Sequence, residues 1–181
     1  MQATHPLKVI KHCLKCGSTN FTPSGERSLK CGACGFHFFI NSSAAVAALV
    51  TDTAGKLMLV TRGVEPNYGK LDLPGGFIDP METAEQAVKR ELKEELALDV
   101  KSLQYLTSAP NEYVFSDFSV FTLDMAFVVN DYFTEGLKPM DDILDYKFYA
   151  EDELDYKDIP APSIKNFVQL YFKNLKRTKT K

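Results

Sequence analysis

The chain has 181 residues, 45% hydrophobic and 25% charged, which suits one soluble globular domain of moderate size plus a small module. A formal charge of −3 gives no general argument for a nucleic-acid binder. No apolar run approaches the roughly 20 residues of a membrane span. The opening "MQATHPLKVIKH" lacks an apolar core and a small-residue cleavage site. The expected setting is the cytoplasm, where thiols stay reduced.

The first elements are two like units, "CLKCG" (Cys13, Cys16, Gly17) and "CGACG" (Cys31, Cys34, Gly35). Paired CxxC units at this separation can set four thiolates tetrahedrally around one Zn2+. The Gly after each second Cys permits a tight turn that aims N–H groups at sulfur. Two disulfides or four unrelated thiols are the alternatives. A site of four thiolates has no open position, so its expected role is structural. His12 and His37 flank it and read as surface or packing residues. The unit is too short for much of a core, and the metal would hold it together. It ends in the aromatic run "FHFFINSS", which is expected to pack it onto the main domain.

From Ala44 the pattern changes. "AAVAALVT" is a continuous apolar run, like a buried strand. "DTAG" reads as a turn and "KLMLVTR" as the second strand of a hairpin. "GVEPNYGKLDLPGG" is a loop. Residues 83–97 read as a helix, with Thr83 as N-cap and Gln86 completing a capping box. "SLQYLTSA" and "SVFTLDMAFVVN" are strand-like, and "DYKFYAEDEL" reads as a strand entering a short helix. "SIKNFVQLYFKNLKR" is amphipathic, and the basic tail "KRTKTK" is expected to fray. This order suggests an α/β fold, a mixed sheet with helices on its faces.

The 83–97 helix raises a problem. At 100° per residue from Ala84, Val88, Leu92 and Leu96 fall at about 40°, 80° and 120° and define the buried stripe. Glu91 and Glu95 fall at about 340° and 20°, inside that arc, and Glu94 at about 280°, on its edge. Carboxylates at i, i+3 and i+4 repel one another, and apolar surroundings add a desolvation cost. Arg90 can offset one charge but not three. A hard divalent cation such as Mg2+ or Mn2+ would offset the rest. The plain alternative is a solvated Glu-rich helix. Just ahead, "LPGGFIDPME" places Gly75 and Gly76 where backbone can approach a ligand closely.

Gly76 to Leu98, "GFIDPMETAEQAVKRELKEELAL", resembles the Nudix box of the Nudix hydrolases. That pattern is G, five residues, E, seven residues, then REUxEExGU with U aliphatic. Gly76, Glu82, Arg90, Glu91, Leu92, Glu94, Glu95 and Leu98 match it. Ala97 stands where the family has Gly, at a helix end that often needs φ > 0. The resemblance covers about residues 41–175 and implies a Nudix-type α/β/α sandwich, so a Nudix domain is expected over residues 41–181 after the four-cysteine zinc ribbon of residues 1–40. It implies catalytic roles for Glu91, Glu94, Glu95 and Arg90, and Mg2+ or Mn2+ on Glu91, Glu94, Glu95 and the Gly76 carbonyl. Glu82 would help hold loop and helix. Glu91, or an acid in "PMDDI" (Asp141, Asp142), is the candidate general base; the two aspartates read equally as solvated turn residues.

A zinc ribbon ahead of such a domain is similar to the NADH pyrophosphatases. Their second motif, SQPWPFPxS, is met here by "TSAPNEYVFS", in which only Ser108 and Pro110 correspond. The implied activity is therefore cleavage of the diphosphate linkage in a nucleoside diphosphate derivative of dinucleotide, ADP-ribose or nucleotide-sugar type. Arg62 and Tyr113 are the candidate substrate contacts. The alternative is a non-catalytic nucleotide sensor or an RNA-binding module using the ribbon's Lys8, Lys11, Lys15, Arg27 and Lys30. The expected partner is a small nucleotide rather than a nucleic acid or membrane, and a homodimer through the ribbon is left open.

Overall fold

The computed structural model describes residues 1–132 and 136–179. Two compact units emerge, one of Met1–Ser42 with Glu112–Phe121, the other of Ser43–Asn111 with Thr122–Lys181.

In the first unit a short helix, α1 (Pro6–Val9), precedes three antiparallel strands, β1 (Phe21–Pro23), β2 (Ser28–Cys31) and β3 (His37–Phe39). Its small core is Leu7, Cys13, Phe21, Leu29 and Cys31, with Phe36 and Phe38 packed against it. The aromatic run thus divides. Phe36 and Phe38 face inward, while strand alternation leaves His37 and Phe39 exposed. Residues 112–121 are the tip of a long hairpin. Ser119 N–H donates to Thr4 O at 2.9 Å, and the His5 and Phe121 rings lie 5.5 Å apart.

Then follow in order β4 (Ser43–Leu49), β5 (Leu57–Arg62), β6 (Leu71–Asp72), α2 (Ala84–Leu96), β7 (Val100–Phe115), β8 (Phe118–Tyr132), β9 (Ile143–Tyr149) and α3 (Pro162–Lys179), all in the second unit except residues 112–121 of β7 and β8. They build two sheets, β4-β8-β7 and β6-β5-β9. β4 runs parallel to β8, from Ser43↔Thr122 to Leu49↔Val128. Its other edge is taken by residues 74–78, with Val46 N–H donating to Gly76 O at 2.9 Å and Ile78 N–H to Ala44 O at 3.0 Å. Both edges of β4 are therefore occupied. The expected β4–β5 hairpin persists only at its base, in the bridge Thr51↔Leu57, before the strands part into different sheets.

The continuous apolar run of β4 has a direct cause. Val46 and Ala48 face α2, in a core with Val88, Leu92, Leu96 and Phe127. Ala47 and Leu49 face α3, in a core with Leu57, Leu59, Phe167, Val168 and Phe172. A strand covered by a helix layer on each face cannot alternate. The α/β/α sandwich with a mixed sheet results from this. β7 and β8 are longer than the segments read as strands, because "NEYVF" continues β7 past Pro110 to a two-residue turn at Ser116 and Asp117, both with positive φ. The basic tail is helical as far as Lys179, with Thr180 and Lys181 outside the described residues. Among the described residues no helix is long and apolar enough to cross a membrane.

Candidate active site and metal centre

The site is organised by the start of α2. Thr83 Oγ1 accepts from Gln86 N–H at 3.2 Å and Gln86 Oε1 accepts from Thr83 N–H at 2.9 Å, closing the capping box. This fixes where the helix begins and hence which residues point at the 74–78 segment. Val88, Leu92 and Leu96 are fully buried. Glu91 and Glu95 share their side of the helix, as the helical spacing requires.

Glu95 is 7% exposed, and its Oε2 accepts from Gly75 N–H at 2.9 Å. Burial pushes its carboxyl from the ordinary 4.5 up to about 9. The Gly75 bond opposes that rise, and the charges of Glu91, Asp72 and Asp141 add to it. Glu91 is half-buried and also raised by burial, against the pull of Arg90. Glu94 is the exposed member. Arg90 ties the group together. Its Nε and Nη2 hold both oxygens of Glu82 at 3.0 and 2.9 Å, and Nη2 also reaches Phe77 O at 2.9 Å. Nη1 donates to Glu91 at 2.8 Å and to Glu94 at 3.1 Å. These bonds keep the guanidinium charged and hold Glu82 below the usual carboxylate range. Glu82 also accepts from Asp79 N–H at 3.0 Å, so the 77–82 loop is fastened to the helix through one arginine.

A side chain is excluded at Gly75 and would displace Glu91 at Gly76. A Cβ on Gly76 would stand 2.5 Å from Glu91 Oε1. Gly75 has φ of 141°, and a Cβ there would stand 2.2 Å from Val46 O. The Gly76 carbonyl already accepts from Val46 N–H, so one lone pair remains for a ligand. Crowded carboxylate oxygens with this residual carbonyl form a hard donor set that fits Mg2+ or Mn2+. Asp141 lies in a turn with φ of 52°, beside Met140, whose N–H donates to Glu95 O at 2.8 Å. Both Asp141 and Asp142 are exposed.

One residue of the neighbourhood escaped the sequence reading. Asp72, two residues before Pro74, accepts from Arg62 Nη1 at 2.8 Å and from Leu73 N–H at 2.8 Å, and its charge reaches Glu95. A lone acid in a two-residue strand carries no periodic signal that would have marked it. Arg62, expected to meet substrate, has its Nη1 on Asp72 and its Nε on Pro66 O. Tyr113, the other expected contact, lies on the hairpin tip within the first unit.

The four cysteines are all free and their sulfurs all lie within 4.8 Å of one another. Cys13 Sγ is 3.8 Å from Cys34 Sγ, and Cys16 Sγ is 3.7 Å from Cys31 Sγ. A tetrahedron of sulfurs around Zn2+, with Zn–S near 2.3 Å, has edges of about 3.8 Å. The backbone N–H of Cys34 is the leading influence lowering the Cys31 thiol, whereas contact with the neighbouring sulfurs raises the Cys16 thiol, so the spacing of the sulfurs carries the metal reading. Sulfur donors at tetrahedral spacing fit zinc, and the disulfide alternative does not hold.

The family model described as NUDIX domain matches residues 41–171. The chain therefore belongs to the Nudix hydrolase family. It is similar to proteins named NAD-capped RNA hydrolase NudC. The one from Stutzerimonas stutzeri is 34% identical over 54% of this chain and 35% of its own length. The one from Vibrio vulnificus is 26% identical over 85% of this chain and 56% of its own length. The chain thus spans only a third to about half of these relatives. Among solved structures, a NUDIX hydrolase from Nitrosomonas europaea shares the fold with a TM-score of 0.65 at 22% identity, covering 91% of each chain. The NUDIX domain of Shewanella oneidensis NrtR, crystallised with ADP ribose, does so with a TM-score of 0.54 at 23% identity, over 77% of this chain and 90% of that one.

Proposed function

We propose that this chain is a Mg2+- or Mn2+-dependent pyrophosphohydrolase that cleaves the diphosphate linkage of a nucleoside diphosphate derivative. The observation that carries the reading is the pair Glu91 and Glu95, turned into the buried face of α2 beside Gly75 and Gly76 at a desolvation cost no structural role explains. Glu91, Glu94, Glu95 and the Gly76 carbonyl would hold the cation, which supplies charge neutralisation at the diphosphate and a more acidic water. Arg90 sets the directions of Glu91 and Glu94, and Glu82 holds Arg90. Glu91, raised and half-buried, is the group suited to take a proton from the attacking water. Water oxygen bonds to one phosphorus while the bridging P–O bond breaks, giving two phosphate monoesters, one of them a nucleoside monophosphate. The curated relatives extend the candidate substrates from free dinucleotides to an RNA carrying such a linkage at its end. The ribbon holds zinc structurally.

A panel of NADH, ADP-ribose, nucleotide sugars and NAD-capped RNA, read by mass detection of products, tests this. The reading predicts divalent-cation-dependent release of a monophosphate from at least one of them, and loss of that release in Glu94→Gln. Intact substrates with tight binding would favour a non-catalytic sensor instead.

A further inference from the structure

The exposed face of the ribbon's three-stranded sheet carries a group of residues with no part in holding zinc or packing the core. Lys30, on the central strand β2, pairs with Thr22 on β1 and His37 on β3. All three are exposed. Phe39, two residues along β3 and on the same face as His37, is 49% exposed, and the two rings lie 4.3 Å apart. The imidazole is fixed in place. His37 Nε2 lies 2.9 Å from Ser28 Oγ, and Ser28 is buried and donates its own proton to Ser24 O. None of the three strands carries a carboxylate.

Residues 1–42 hold Lys8, Lys11, Lys15, Arg27 and Lys30 against Glu26, but Glu112 and Asp117 belong to the same unit and four thiolates around Zn2+ subtract two more charges. The unit is therefore neutral overall, and the positive charge of this face is that of Lys30 itself. A cation at the centre of a small sheet, flanked by a fixed pair of aromatic rings, suits a single strand of RNA. On such a face phosphate would meet Lys30, and an unstacked base would lie on Phe39 and His37. A free dinucleotide offers no chain beyond its two nucleosides for such a face to track.

We infer that the exposed β1-β2-β3 face, through Lys30, His37 and Phe39, binds the single-stranded RNA downstream of a 5′-terminal diphosphate-linked nucleoside. This rests on the proposed hydrolase reading and narrows it to a substrate class. The test compares the zinc-loaded protein with a Lys30→Glu/Phe39→Ala variant in two assays. One measures kcat/KM on free NAD and on an NAD-capped RNA of about ten nucleotides. The other measures anisotropy of the same RNA, uncapped and labelled, over a salt series. The variant is expected to lose roughly tenfold or more in kcat/KM on capped RNA, with free NAD turnover and zinc content unchanged. Its RNA affinity should fall, and the salt slope should shrink by about one. Equal losses on both substrates, or no loss on capped RNA, would overturn the inference. If the wild type cleaves neither substrate, the anisotropy arm alone decides the face, and an unchanged affinity in the variant sinks it; the hydrolase reading itself fails only if the wider panel is also left intact.

Discussion

Replacing Glu95 with Gln should stabilise the magnesium-free protein, and increasingly so as pH rises. Glu95 sits 7% exposed with a carboxyl near 9, against about 4.5 in the ordinary state. Its raised value means the folded state binds the proton more tightly than the unfolded state. The resulting stability is complete below about 4.5 and is lost progressively as pH climbs toward 9. Each unit in that window removes about 1.4 kcal/mol, so the loss between about pH 6 and about pH 8 is roughly 3 kcal/mol. Gln keeps the shape, can accept the Gly75 N–H through its own carbonyl, and has no charge to desolvate. The variant's advantage over wild type should therefore widen by roughly that 3 kcal/mol across the same interval. Urea unfolding at the two pH values, in protein dialysed free of Mg2+ without a chelator so that ribbon zinc stays, reads it directly. Added Mg2+ should then raise the wild type alone and close the gap. An advantage that does not grow with pH, or a variant less stable at both, would refute the placement of Glu95 as a costly buried acid held for a cation.

Other outcomes rest on the same geometry. Ala97 adopts φ of 54° at the end of α2, with Leu98 N–H donating to Leu92 O at 3.0 Å. Ala97→Gly removes the left-handed strain and should raise stability by about 0.5–1 kcal/mol in denaturant titration, leaving turnover unchanged. Gly76→Ala should displace Glu91, whose oxygen would lie 2.5 Å from the new methyl, and lower kcat far more than it lowers the thermal midpoint. Arg90→Lys keeps a charge but cannot hold both oxygens of Glu82 while reaching Glu91 and Glu94; a loss in kcat of about a hundredfold is expected in steady-state assays. Cys16→Ser should abolish stoichiometric zinc by atomic absorption and unfold the first unit, seen as lost amide protection in residues 13–39.

The site was legible because chemistry and periodicity disagreed. Carboxylates on a buried helical stripe are costly, and the cost pointed to a ligand before any geometry was known. The same wheel that placed Leu92 inward placed Glu95 inward, and both are buried. The capping box and the CxxC pairs were equally plain, since each is a local pattern with one physical use. What escaped was non-local. β4 and β5 looked like a hairpin because a turn joins them, and nothing in either strand announced that β8 and residues 74–78 compete for the edges of β4. The breaker residues Pro110 and Asn111 hid the reach of β7, which runs on through Tyr113, Val114 and Phe115. Asp72 and Arg62 pair across ten positions, a distance at which no helical or strand period applies. Phe39 reads as packing material in the sequence, and the alternation that buries Phe38 turns it outward.

The proposal that the glutamates of α2 serve diphosphate hydrolysis is decided by one experiment. Wild type and Glu94→Gln are incubated with the nucleoside diphosphate panel, with and without Mg2+, and products are weighed by mass spectrometry in oxygen-18 water. A nucleoside monophosphate is expected from wild type with Mg2+ only, with one product carrying a single heavy oxygen, and that product should be lost in the variant. An intact panel with Mg2+ present, or equal turnover by Glu94→Gln, would contradict the proposal.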